Sequence, residues 1–169
     1  ERLRQEDQAK SQEIRAVRIG VVRTLDQPVS AAGAESNFGR WQPTSEGGHY
    51  WTLTIESAEA KAIRVHIENL TIPPGGHVMV YNTNNPTEIY GPYQQQDLYG
   101  ASDLWTASVF GAVATLEYYA PAGIDPAQIG KFRVSEISHL YVEMATLLSP
   151  QEGTCHNDVT CSTAWAAEA

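Results

Sequence analysis

The 169 residues are 42% hydrophobic and 18% charged, the range of one ordinary globular domain, and a chain of this size buries about 70% of the surface its unfolded form exposes. Acidic residues outnumber basic ones 20 to 11, for a net charge of −9, which disfavours nucleic acid, whose phosphates need a basic face. No run approaches the ~18 apolar residues of a membrane span, and the opening Glu1-Arg2-Leu3-Arg4 lacks a signal peptide's apolar core, so any export signal is expected to have been removed. Cys155 and Cys161 are the only two cysteines, so the main body is held by apolar packing, not by a disulfide scaffold or a four-cysteine zinc site.

Residues 1–17 are rich in helix formers with few apolar positions, which predicts a short N-terminal helix or flexible arm. Arg18-Ile19-Gly20-Val21-Val22-Arg23 predicts a first strand, ended by a turn at Asp26-Gln27-Pro28, and residues 30–37 predict a loop. Trp51, Leu53 and Ile55 alternate with Thr52 and Thr54, and Ile63, Val65 and Ile67 with Arg64 and His66. Both are half-buried strands, joined by a short connection at residues 57–61. Pro73-Pro74-Gly75-Gly76 breaks the pattern before a strand at residues 78–81, which the turn formers of residues 82–86 close. Gly91-Pro92-Tyr93 reads as a further turn, residues 105–110 as β-rich, and residues 113–119 as another strand. Phe132 and Val134 open a last strand whose parity slips before Ile137, predicting a bulge or a bend near Ser135. Short strands at this spacing predict an all-β fold, an antiparallel β-sandwich of jelly-roll kind, over residues 18–148.

Catalytic chemistry finds little support. There is no Gly-x-Ser-x-Gly nucleophile turn, and His49, His66, His77, His139 and His156 form no His-x-x-x-His pair, so no catalytic residue, metal site or cofactor is expected. His66 reads as a hydrogen-bonded surface imidazole and His139 as a packing residue. Gly47-Gly48 and Gly75-Gly76 read as turn glycines, not phosphate cradles. Asn82 to Asn85 and Asp97 lack the dense acidic spacing of a calcium loop. Trp51 and Trp105 sit in strand patterns and are expected in the core. Trp41, Tyr50, Tyr93 and Tyr99 are candidate ligand-facing aromatics, which would stack on a glycan if they shared one sheet face.

The succession Trp51-Thr52-Leu53-Thr54-Ile55, the Ile63 to Ile67 strand, then Leu70-Thr71-Ile72-Pro73-Pro74-Gly75-Gly76-His77-Val78-Met79-Val80-Tyr81 resembles the N-terminal pro-region of secreted bacterial trypsin-like proteases of the lysyl endopeptidase type. Gly91-Pro92-Tyr93, Trp105-Thr106 and Ile137-Ser138-His139-Leu140-Tyr141 follow in the order that resemblance implies. Cys155-His156-Asn157-Asp158-Val159-Thr160-Cys161 resembles the Cys-Asn-x-Asp-Val-x-Cys opening of the mature protease, although His156 stands at an Asn-like position and Gly111-Ala112 where Gly-Asp is frequent. The resemblance implies that residues 149–169 are a linker and the start of a protease domain, that the two cysteines bond to partners deeper in that domain, and that its His, Asp and Gly-Asp-Ser-Gly loop come later in the polypeptide. Read without it, Cys155 and Cys161 form either a local bridge or two free thiols.

The expected function is therefore a non-catalytic pro-domain that assists or restrains a downstream protease domain of the same polypeptide, in a secreted or periplasmic bacterial protein. Ser149, Pro150 and Gly153 mark an extended processing region. The alternative is a module that binds a glycan or cell-surface polymer through its aromatics.

Overall fold

A computed structural model describes residues 18–31, 38–129 and 131–143; residues 1–17, and with them the predicted arm, lie outside the described residues. Ten strands form two five-stranded antiparallel sheets. The first contains β1 (Gly20–Ser30), β10 (Arg133–Leu140), β4 (Ala62–Glu68) and β7 (Leu104–Trp105) in that order, with β8 (Val109–Phe110) also on β4. The second runs β2 (Arg40–Pro43), β3 (His49–Glu56), β9 (Val113–Ala120), β5 (His77–Asn82), β6 (Asn85–Tyr93). Setting aside the four-residue β2 and counting β7 and β8 as one interrupted strand, the order is 1-8-3-6 in one sheet and 2-7-4-5 in the other. That is the two-Greek-key order of a jelly roll, as expected. Among the described residues no helix is long and apolar enough to cross a membrane; the helical pieces are a 3₁₀ turn at Gln95–Leu98 and the one-turn α1 (Pro126–Ile129).

The alternation seen in the sequence sets the two faces of each sheet. In β3, Trp51, Leu53 and Ile55 point inward, opposite Tyr118, Leu116 and Ala114 of β9. Across the sandwich, Ile63, Val65 and Ile67 of β4 are fully buried with Val134 of β10. Phe132 joins the layers: its ring stacks on Tyr118 at 4.9 Å and meets Trp51 edge-on at 5.2 Å, while Trp41 meets Tyr118 edge-on at 5.6 Å. Gly39 lets β2 approach this cluster, since a Cβ there would lie 2.3 Å from the Trp51 indole.

Several elements differ from expectation for identifiable reasons. The turn predicted at Asp26-Gln27-Pro28 lies inside β1, where pairing with β10 shifts register between Thr24 and Val29. β1 is an edge strand, so the missing N–H of Pro28 leaves no ladder bond broken. Gly91-Pro92-Tyr93 likewise lies within edge strand β6, with a cis Gly91–Pro92 peptide. The β-rich stretch at residues 105–110 is split into β7 and β8 because Thr106 inserts into the ladder: its N–H donates to the Val65 carbonyl and its Oγ1 accepts from the Val65 N–H, both at 3.0 Å. Trp105, expected in the core, is half-buried and pairs with outward-facing His66. The bulge expected near Ser135 is present, as the β10 to β4 register shifts between Val134 and Ile137. Gly75 occupies a turn with φ of +80°, a conformation L side chains rarely adopt.

Candidate functional site

The two outer sheet faces differ in how their charges are satisfied. On the β10–β4–β7 face, His66 Nδ1 and Glu136 Oε1 are 2.9 Å apart, and the His66 ring stacks on Trp105 at 4.5 Å with 2° between the planes. Arg64 lies 5.7 Å from the centre of the same indole and donates to the Thr106 carbonyl. Glu68 pairs with Arg133, whose hydrogen bond is the main influence holding that carboxyl below the usual range. His66 is thus the hydrogen-bonded surface imidazole the sequence predicts.

The outer face of the second sheet is built differently. Because the strands lie in register, residues of opposite parity to the core line up in rows. One row is Gln42, Tyr50, Tyr119 and His77; the next is Arg40, Thr52, Glu117 and Met79; the third brings Thr54, Thr115 and Tyr81 together. Tyr50, His77, Glu117, Tyr119 and Thr44 line a cavity of about 290 Å³. Tyr50 donates to Gln42 Oε1 at 2.8 Å, the His77 and Tyr119 rings are tilted 34° with centres 5.1 Å apart, and Thr54 and Thr115 share a 3.0 Å hydroxyl bond. The Tyr81 hydroxyl donates to Glu117 Oε2 at 3.3 Å. Burial first, and then the Glu117 charge and that hydrogen bond, push Tyr81 above the ordinary tyrosine value. The result is a carboxylate in the middle of a tyrosine-rich face.

Of the four aromatics singled out in the sequence, Tyr50 alone lines this cavity. Trp41 packs against the core and donates to the Ala31 carbonyl at 3.0 Å. Tyr93 also packs against the core, its hydroxyl accepting from the Ala107 N–H at 2.8 Å. Tyr99 is 95% exposed at the end of the 3₁₀ turn. These four therefore do not share a platform. Tyr119, Tyr81 and Glu117 were missed by the sequence reading. Their strand parity was visible, but the strands beside them were not.

A larger cavity, about 460 Å³, opens at the sandwich edge where β2 stops pairing with β3 beyond Thr52, and its walls include Leu25, Val29, Phe38, Leu53 and Ile55. Ser57 Oγ and His139 Nδ1 lie 2.8 Å apart, the spacing of a nucleophile and its base. With exposures of 5% and 4% they are closed to any substrate. Arg23 donates to the same Ser57 Oγ at 3.2 Å, so the group ties β1, the β3–β4 turn and β10 together. Asn82 donates to the Phe110 carbonyl at 2.7 Å and accepts from the Asn84 N–H, and Asp97 accepts from the Gln94 N–H. Those side chains serve local backbone. Among the described residues no three His, Cys, Asp or Glu side chains converge. Ser149, Pro150, Gly153, Cys155 and Cys161 lie outside the described residues.

The strand order places the chain among jelly-roll β-sandwiches. The family model of the lysyl endopeptidase N-terminal domain matches residues 1–141, most of the chain, and the protein belongs to that family. No solved structure matches it.

Proposed function

We propose that this domain is the non-catalytic pro-domain of a secreted, trypsin-like serine endopeptidase of bacterial origin, and that it assists folding of the protease domain and restrains it until the connection is cut. Family membership over residues 1–141 is the observation that carries the reading. One feature of the fold supports it. The first and last strands pair, with the Tyr141 N–H donating to the Ile19 carbonyl at 3.1 Å and Lys61 bridging Glu143 at 2.8 Å, so the core is closed before the chain continues past Glu143. A body completed in this way can fold first and present a surface to later sequence. Protease domains dominated by non-local β pairing gain from such a template, because it lowers the entropy of bringing distant strands together.

Processing is placed at residues 148–154, around Ser149, Pro150 and Gly153, and Cys155 and Cys161 would then bond within the protease domain. The test is to produce the remainder of the polypeptide with and without residues 1–150. Omitting them is expected to reduce the yield of folded, active enzyme, and adding them separately to restore it. Equal yield and activity in the two preparations would defeat the proposal.

A further inference from the structure

We infer that the cavity on the outer face of the second sheet is a receptor for a lysine side chain of the docking protease domain, with Glu117 as counter-ion and the Tyr50 and Tyr119 rings as walls. The identity of the partner rests on the pro-domain reading; the chemistry of the site does not. Glu117 is half-buried, and its recorded partner is the Tyr81 hydroxyl on Oε2. Oε1 takes no hydrogen bond among the described residues. Arg40 shares its row but is exposed on β2 with β3 between, about 10 Å from Glu117 backbone to backbone by strand spacing, and forms no ion pair with it among the described residues. On the opposite face the carboxylates of β4 and β10 each meet a basic side chain, Glu68 with Arg133 and Glu136 with His66, whereas Glu117 has no such partner among the described residues.

The surroundings choose the cation. Tyrosine rings offer negative π faces to a cation, and their apolar edges, with the Met79 side chain in the same row as Glu117, suit an aliphatic stem. A guanidinium is best met by two parallel oxygens, and at Glu117 it would have to share Oε2 with the Tyr81 hydroxyl. A compact ammonium needs one oxygen and can turn its other donors to water or to a hydroxyl. A lysine end therefore fits better than an arginine.

The experiment uses the 169-residue chain, methyl-labelled at methionine, titrated with the peptide acetyl-Gly-Lys-Gly-amide. A saturable shift of the Met79 methyl is expected, weakened about fivefold or more in Glu117→Gln and by added salt, and absent with norleucine in place of lysine. Tyr50→Ala provides an independent variant on the cavity wall, and an unchanged near-ultraviolet spectrum from buried Trp51 verifies the fold of each variant. No saturable shift, an equal response to norleucine or in Glu117→Gln, or tighter binding of the arginine peptide would overturn the inference. So would a saturable response to a soluble polysaccharide with none to lysine, which would give the face to a glycan. A second arm measures binding of the separate protease portion. Measurable binding that is equal for wild type and Glu117→Gln also overturns the site, whereas a protein that answers lysine yet shows no binding to the protease portion upholds the receptor and sinks the pro-domain reading.

Discussion

Thr106 shows how much one hydroxyl can organise. Fully buried, it accepts from the Val65 N–H and donates to the Ala107 carbonyl, so it replaces the backbone partner that β4 loses where β7 ends. Thr106→Val keeps the shape but leaves the Val65 donor without an acceptor, and is expected to cost about 1–3 kcal/mol in a urea unfolding curve. Gly39 is the opposite case, a residue needed for its lack of a side chain. The Trp51 indole it faces is fully buried and packed on Phe132, so it cannot move aside. Gly39→Ala is therefore expected to destabilise by about 1–3 kcal/mol, measured the same way. Among the described residues, Trp51 Nε1 and His49 Nδ1 are buried without a hydrogen-bond partner.

Tyrosine burial also sets the response to alkali. Burial raises Tyr118 well above the ordinary value; burial, followed by the Glu88 hydrogen bond and charge, pushes Tyr90 up to about 12. A raised value in the folded state means that the native protein holds these protons more tightly than the unfolded chain. The stability this contributes is intact below about pH 10, where unfolded tyrosine titrates, and is lost as pH climbs through the folded values. Urea midpoints measured from pH 9 to 12 should therefore fall steeply above pH 10. Tyr118→Phe should flatten that fall, while losing at neutral pH about 1 kcal/mol for the hydrogen bond its hydroxyl donates to the Thr71 carbonyl at 2.8 Å.

At the scale of the element, strands that bury one face were readable along their length, whereas edge strands were readable only in part: β1 was seen at its start and not past Asp26. β3 and β4 were legible because Trp51, Leu53, Ile55 and Ile63, Val65, Ile67 repeat every second residue under a single constraint, contact with the opposite sheet. β6 was not, because Asn85, Gly91 and Pro92 are turn formers by local preference and only an edge position tolerates them in a ladder. The same reasoning covers Pro28 in β1. β9 lies at the centre of its sheet, between β3 and β5, and buries Leu116 completely. Leu116→Ala is expected to cost about 2–5 kcal/mol because both neighbouring strands hold the cavity open.

At the scale of the whole molecule, the ends of the described chain meet: Gly20 pairs with Leu140 and Ser30 with Arg133. Contacts across so many residues make folding slow, in the millisecond to second range typical of such topologies. They also make it all-or-none. A chain ending at residue 130 lacks β10, so β1 has no partner and β4 loses one edge. Such a fragment is expected to show an unfolded far-ultraviolet circular dichroism spectrum, and a native one would contradict the closure described above. The same closure, made within residues 18–143, is what the proposed template role asks of the fold.

By itself the sequence determined what depends on neighbours along the chain: which residues of β3, β4 and β10 face inward, where the bulge near Ser135 falls, the acidic balance, and the ordered motifs that resemble the lysyl endopeptidase pro-region. Parity is local, so alternation within the strand predicted at residues 113–119 is enough to set Glu117 and Tyr119 on the face opposite Leu116 and Tyr118. The tertiary structure decided which strands lie side by side. That choice brings Tyr50, more than sixty residues earlier, next to Tyr119, and His77 to its other flank. Strand pairing is fixed by burying two whole sheets against each other, a sum over the molecule that no single segment records. The cavity around Glu117 exists only after that sum has been taken.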